Sequence, residues 1–144
     1  TNIVGVHVGI IQKQLTTPFQ NIFKMATLSV TLGITSTDTT SENLAIGASD
    51  TLTVTNPTID IARQSVATTG QFNILTTANS SITYLYVSNA DNTNIITLKT
   101  DGGVSHIDLG PGEFAFFPVK GAVGIEATAN SAPCILEYGF WTKS

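Results

Sequence analysis

The side chains able to do chemistry are few. His106 and Asp108 stand two apart in Val104-Ser105-His106-Ile107-Asp108-Leu109, and Glu113 follows after four intervening residues. Strand alternation points Ile107 and Leu109 one way and His106 and Asp108 the other. An imidazole beside carboxylates suits a borderline divalent ion. The competing reading is a solvent-facing or intersubunit His–Asp pair. The sequence favours that reading, because His7 is the only other histidine and lies far away. Asn89, Asp91, Asn92 and Asn94 offer amide and carboxylate oxygens to calcium, which usually takes more carboxylates than this run supplies. A turn in which Asn and Asp bond their own backbone is the plainer account. Cys134 is the single cysteine, so no internal disulfide exists. It sits in an apolar strand pattern and reads as a buried, inert thiol. There is no Gly-x-Ser-x-Gly, no phosphate loop and no readable Cys–His arrangement. These residues therefore predict no catalytic group, no cofactor and no enzyme; His106, Asp108 and Glu113 stand only as minor metal candidates.

The elements that would position these groups follow from composition and periodicity. A chain of 144 residues is one domain's worth, long enough to bury roughly 68% of its unfolded surface. Hydrophobic residues make up 42% and charged residues 11%, against a usual charged share of about 25%. Thr and Ser replace the missing charge, and the branched Cβ of Thr suits a pleated strand. Little charge also means little repulsion between copies, which favours a protein packed against other protein. The net charge is −4 with six Lys plus Arg, so no basic patch for nucleic acid is expected. No apolar run approaches the roughly 18 residues that span a bilayer as a helix, so no membrane partner is expected. Val4 to Ile11 lacks the basic flank and cleavage site of a secretory signal.

Residues 3–11 read as an extended arm carrying Val4, Val6 and Val8. Thr17-Pro18-Phe19-Gln20 resembles a capped helix start, predicting one short helix to about Met25 with Phe19 and Phe23 on it. Thr27 to Leu32 alternates as a half-buried strand, and Thr51 to Thr55 repeats the alternation until Asn56-Pro57 ends it. Ile59 to Val66 and Phe72 to Thr76 are further strands. Six apolar runs between Ile82 and Trp141 then read as a β meander whose neighbours pair locally. Within it Asp101-Gly102 predicts a two-residue hairpin turn, and Pro111-Gly112 a type II turn. Ala122 to Ala129 and Cys134 to Trp141 are its last strands. The fold class is all-β: an antiparallel β-sandwich, jelly-roll-like, with an N-terminal arm over 1–26 and the sandwich over 27–144.

Tyr84, Tyr86, Phe114, Phe116, Phe117, Phe140 and Trp141 crowd into the meander. Apolar groups on both faces of a strand imply that both faces are covered. Either the arm does this or a neighbouring subunit does. Val4, Val6, Val8, Phe19, Phe23, Tyr84, Tyr86, Phe117 and Trp141 are therefore the expected protein interface. A shallow aromatic platform for sugars is an alternative.

Two resemblances bear on these residues. His106-x-Asp108-x4-Glu113 resembles the metal motif of cupins, themselves jelly-roll proteins. However, Asp108 stands where that family has a second His, and no His follows the Pro-Gly-Glu turn. That resemblance would imply a degenerate metal-dependent enzyme or small-ligand binder. Tyr84-Leu85-Tyr86-Val87-Ser88-Asn89-Ala90-Asp91, then Leu109-Gly110-Pro111-Gly112-Glu113-Phe114-Ala115-Phe116-Phe117-Pro118, then Ile135-Leu136-Glu137-Tyr138, resembles small virion proteins of tailed bacteriophages. This resemblance covers about the last 60 residues. It implies a β-sandwich subunit that decorates or cements the capsid, or sits on the tail, with the capsid surface favoured. Such a subunit is commonly a homotrimer bound to the major capsid or tail protein, and no catalytic residues come with it.

Overall fold

The computed structural model describes residues 25–39 and 42–144, without the side chains of 56–58. The arm with Val4, Val6, Val8, Phe19 and Phe23, and the helix start at Thr17, lie outside the described residues. Nine strands follow: β1 (Ala26–Ser36), β2 (Leu44–Val66), β3 (Phe72–Leu75), β4 (Thr83–Asn89), β5 (Ile96–Thr100), β6 (Ser105–Leu109), β7 (Phe114–Val119), β8 (Ile125–Ala129) and β9 (Cys134–Lys143). All pairings are antiparallel. One sheet runs β1-β2-β9-β4-β7 and the other β3-β8-β5-β6. Leaving β1 aside, these are two four-stranded sheets among which the chain alternates, the double-sheet jelly roll.

The meander is not local. Among β4 to β9 only β5 and β6 are consecutive strands that pair. β4 instead lies between β9 and β7, and β8 between β3 and β5. Each strand has one face to bury, and burying it needs a second sheet, not a sequence neighbour. Passing from sheet to sheet across the ends of the sandwich supplies that. β2 is likewise one strand of 23 residues rather than two. The register shifts between Val54 and Ala62 absorb Asn56-Pro57 as bulges, which is where a sheet tolerates proline. β8 begins at Ile125 because Ala122 takes a positive φ of 61° in the turn before it.

The core lies between the sheets. Leu85, Val87, Leu136, Ile96, Val66, Ala127 and Cys134 are its most buried members. Burying each Leu, Ile or Val contributes roughly 1.5–3 kcal/mol. Phe72 meets the ring of Tyr138 edge-on at 5.5 Å, closing the β3 side.

The β6–β7 crossing fastens one end. Pro111-Gly112 forms the expected type II turn, with Gly112 at φ 74° and the Glu113 N–H donating to Gly110 O at 3.1 Å. The Glu113 carboxylate also accepts from the Gly110 N–H at 2.7 Å. Beside it Asn89 is fully buried. Its Nδ2 donates to Asn94 O (2.8 Å), Leu109 O (2.9 Å) and Gly110 O (3.1 Å). Its Oδ1 accepts from the Asp91 N–H at 3.0 Å. Its backbone bonds Glu113 O and Gly112 N. One amide thus ties the β4–β5 loop to the β6–β7 turn. Asp91 in turn accepts from the N–H groups of Thr93 and Asn94. The expected Asp101-Gly102 turn is wider than two residues. Only Gly102 has positive φ, and the ladder resumes at Lys99–Ser105.

Asn89→Ala would take the side-chain partner from the Asn94 and Leu109 carbonyls and the Asp91 N–H, while Gly110 O keeps the Glu113 N–H. At about 1–3 kcal/mol for each group left unsatisfied, partly relieved by relaxation, it should cost about 3–5 kcal/mol in urea unfolding. Asp91 titrates below the ordinary carboxylate range because the Asn94 and Thr93 N–H groups hold its anion. A depressed folded-state pKa stabilises above the unfolded value, and that stability is lost as pH falls through the folded one. Asp91→Asn, whose amide oxygen can still accept, should therefore show a smaller drop in urea midpoint between pH 7 and pH 3 than the parent chain.

Candidate functional site

Register places the second apolar surface on the outside of the five-stranded sheet. Cross-strand partners share a face, so the pairs Tyr84–Trp141, Tyr86–Phe116, Tyr86–Gly139 and Ser88–Phe114 set one continuous outer row. Tyr84 and Phe116 stack at 6.1 Å with planes 9° apart. Gly139 is required beneath this row: a Cβ there would come within 2.9 Å of Ile61 Cδ1 and 3.2 Å of the Trp141 ring. Trp141 and Ile61 therefore lie across the sheet where the backbone offers no side chain.

The same face continues onto a ribbon. β1 and the first half of β2 pair over eleven residues, Ala26–Val54 to Ser36–Leu44. Leu28, Val30, Leu32 and Ile34 alternate with Ser, Thr and Gly; Leu52, Ala48 and Ile46 oppose Leu28, Leu32 and Ile34, and Asp50 opposes Val30. Val54 pairs with Lys143 and so shares the outer face with Trp141. The ribbon is thus greasy on the face that carries the aromatics and Thr/Ser-rich on the other. Leu28 and Val30 confront Tyr86, Phe116 and Trp141 across a groove of about 450 Å³. Leu32, Ile34 and Ile46 are each nearly half exposed, and Phe114 is 67% exposed. The Arg63–Glu137 pair at 2.9 Å edges the groove with Arg63 70% exposed, a geometry worth little in stability.

Of the residues expected to make contacts, Tyr84, Tyr86 and Trp141 lie on this face. Phe117 does not: it pairs with Leu85 and packs on the core. The parity that puts Phe114 and Phe116 outside puts Phe117 inside, and the sandwich needs it there. Leu32, Ile34 and Ile46 were not singled out by sequence. Leu28-x-Val30-x-Leu32 carried the alternation on one side of the ribbon, but Gly47 and Ala48 blurred it on the other.

The chemical candidates are separated or occupied. His106 and Asp108 are both exposed on β6. The Asp108 carboxylate accepts from Thr97 Oγ1 at 2.7 Å, while Glu113 folds back onto Gly110. No group of three His, Cys, Asp or Glu side chains is gathered for an ion among the described residues. In the Asn-rich run, Asn89 and Asp91 spend their oxygens on backbone N–H groups.

Cys134 is fully buried, and its thiol donates to Ala132 O at 3.4 Å. Burial pushes the thiol's pKa up, and the Asp91 charge adds to it. The thiolate is the reactive species, so this group is inert while the fold is closed. Ellman's reagent should label the native chain at least about a hundredfold more slowly than the urea-unfolded chain, since reaction must wait for opening of the core.

No protein-family model, no curated protein and no solved structure matches this chain.

Proposed function

We propose that this chain is a structural subunit that assembles with copies of itself through the outer face of its five-stranded sheet. In this reading it serves as a decoration or cement protein on a tailed-phage capsid, as a homotrimer. One observation carries the self-assembly: an apolar face, interrupted on the ribbon by Asp50 opposite Val30, that runs from Ile34 and Ile46 at the ribbon tip, through Leu28 and Trp141, to Phe116 and the exposed Phe114 beside the buried Tyr84. The core uses none of the exposed members of that face, and large exposed apolar patches mark contact sites. Cyclic symmetry would bring the same face together around one axis. The capsid assignment rests on the sequence resemblance of residues 84–138 and on the scarcity of free reactive groups.

Light scattering should give three times the chain mass of 15.1 kDa. Leu32→Asp or Ile46→Asp, made separately on the ribbon away from the core, should leave the far-ultraviolet circular dichroism unchanged. Burying one unpaired charge at the contact should weaken association at least about a hundredfold. A parent chain that is monomeric at all concentrations overturns the self-assembly. Washed phage particles lacking the chain at stoichiometric copy number would overturn the capsid assignment alone.

A further inference from the structure

The β6–β7 edge of the sandwich is tied at its Pro111-Gly112 end and carries a cleft at the other. β6 and β7 are the outermost strands of their sheets on the same side. Where they diverge from the turn, a cleft of about 220 Å³ leads between the sheets. Its walls are Leu98, Ile107, Phe117, Val119 and Ile125, all on the core side of their strands. Two ionisable groups stand at its mouth, His106 and Lys120. Both are exposed, and neither has a hydrogen-bond or ion-pair partner among the described residues. Lys99 also contributes to the wall, but its ammonium is engaged: with the Gln71 amide oriented to suit its neighbours, Nζ donates to Gln71 Oε1 at 2.5 Å. Asp108, the acid nearest to His106 in sequence, is turned to Thr97. In a chain of net charge −4, two of the four described Lys and Arg residues thus meet at one apolar opening.

We propose that this cleft binds a small amphipathic anion: a monocarboxylate with an apolar tail or ring of about six to eight carbons. An apolar cavity of about 150 Å³ holds benzene, so this one has room for a ring or a slightly longer chain. The tail lies against Phe117 and Leu98, and the carboxylate faces the Lys120 ammonium and the His106 ring at the mouth. Each methylene withdrawn from water contributes about fourfold in affinity. The site is independent of the outer contact face, since it opens on the inner side of β7.

The probe is octanoate, titrated into the full chain and followed by amide chemical shifts and calorimetry. Saturable binding is expected, with shifts centred on residues 98, 107 and 117–120. Butanoate should bind at least about tenfold more weakly. Lys120→Gln, on an exposed turn, should weaken octanoate about threefold to fivefold, in the range of a solvent-exposed ion pair, and leave octanol unchanged. Absence of saturable shifts at these residues up to about 10 mM octanoate, where even a millimolar site would be filled, overturns the site. Equal binding of octanoate to the parent and Lys120→Gln chains, or octanol matching octanoate, overturns the anionic ligand class.

Discussion

A single buried amide fixes how the two sheets meet. Asn89 ends β4 in one sheet, yet its side chain bonds the carbonyls where β6 leaves the other. Its backbone receives the turn that carries the chain back across. An unpaired amide there would cost more than the bonds gain, so the group is held in one orientation by four partners at once. That rigidity sets the spacing of β6 and β7. Toward their far ends a cleft leads between the sheets.

The two faces of the five-stranded sheet follow different logic. The inner face closes a conventional core, but the outer face repeats the apolar pattern without a third layer among the described residues. The ribbon makes this acute. A two-stranded hairpin is marginal alone in water, and this one extends eleven pairs from the sandwich. Native edge strands are usually blunted by lysine, proline or bulges. β1, Ala-Thr-Leu-Ser-Val-Thr-Leu-Gly-Ile-Thr-Ser, carries none of these over its length. An edge without a neighbouring strand among the described residues, beside a greasy face, is what a surface built for association requires, and it supports the assembly reading more than any single aromatic residue does.

Much of this architecture was legible in the sequence, and the failures share a cause. Alternation located the strands, and Pro111-Gly112 named its own turn because only Gly tolerates the φ it adopts. The Asn-rich run read as a turn for the same local reason. Strand order did not emerge, because a run such as Tyr84 to Ser88 specifies which residues face inward but not which strand lies beside it. Asn56-Pro57 looked like a terminator because proline removes a ladder donor; a bulge satisfies the same constraint without ending the strand. Apolar groups on both faces of β7 suggest a contact role for Phe117, whereas the parity it shares with Ala115 and Val119 packs it against the core.

Several ionisable groups at the loops and turns are already engaged. Asp91, Glu113 and Asp108 each accept hydrogen bonds from backbone or hydroxyl groups nearby. Asn130 does the same for Ile95 and Ser131. In a chain with so little charge, these acceptors stand in for secondary structure at the loops and turns. A reaction that drew on them would have to release backbone donors at the ends of the sandwich, and each release would carry the cost of an unsatisfied N–H. The apolar outer face carries no such obligation. Using it costs the fold nothing, and covering it removes from water the surface that the core leaves exposed.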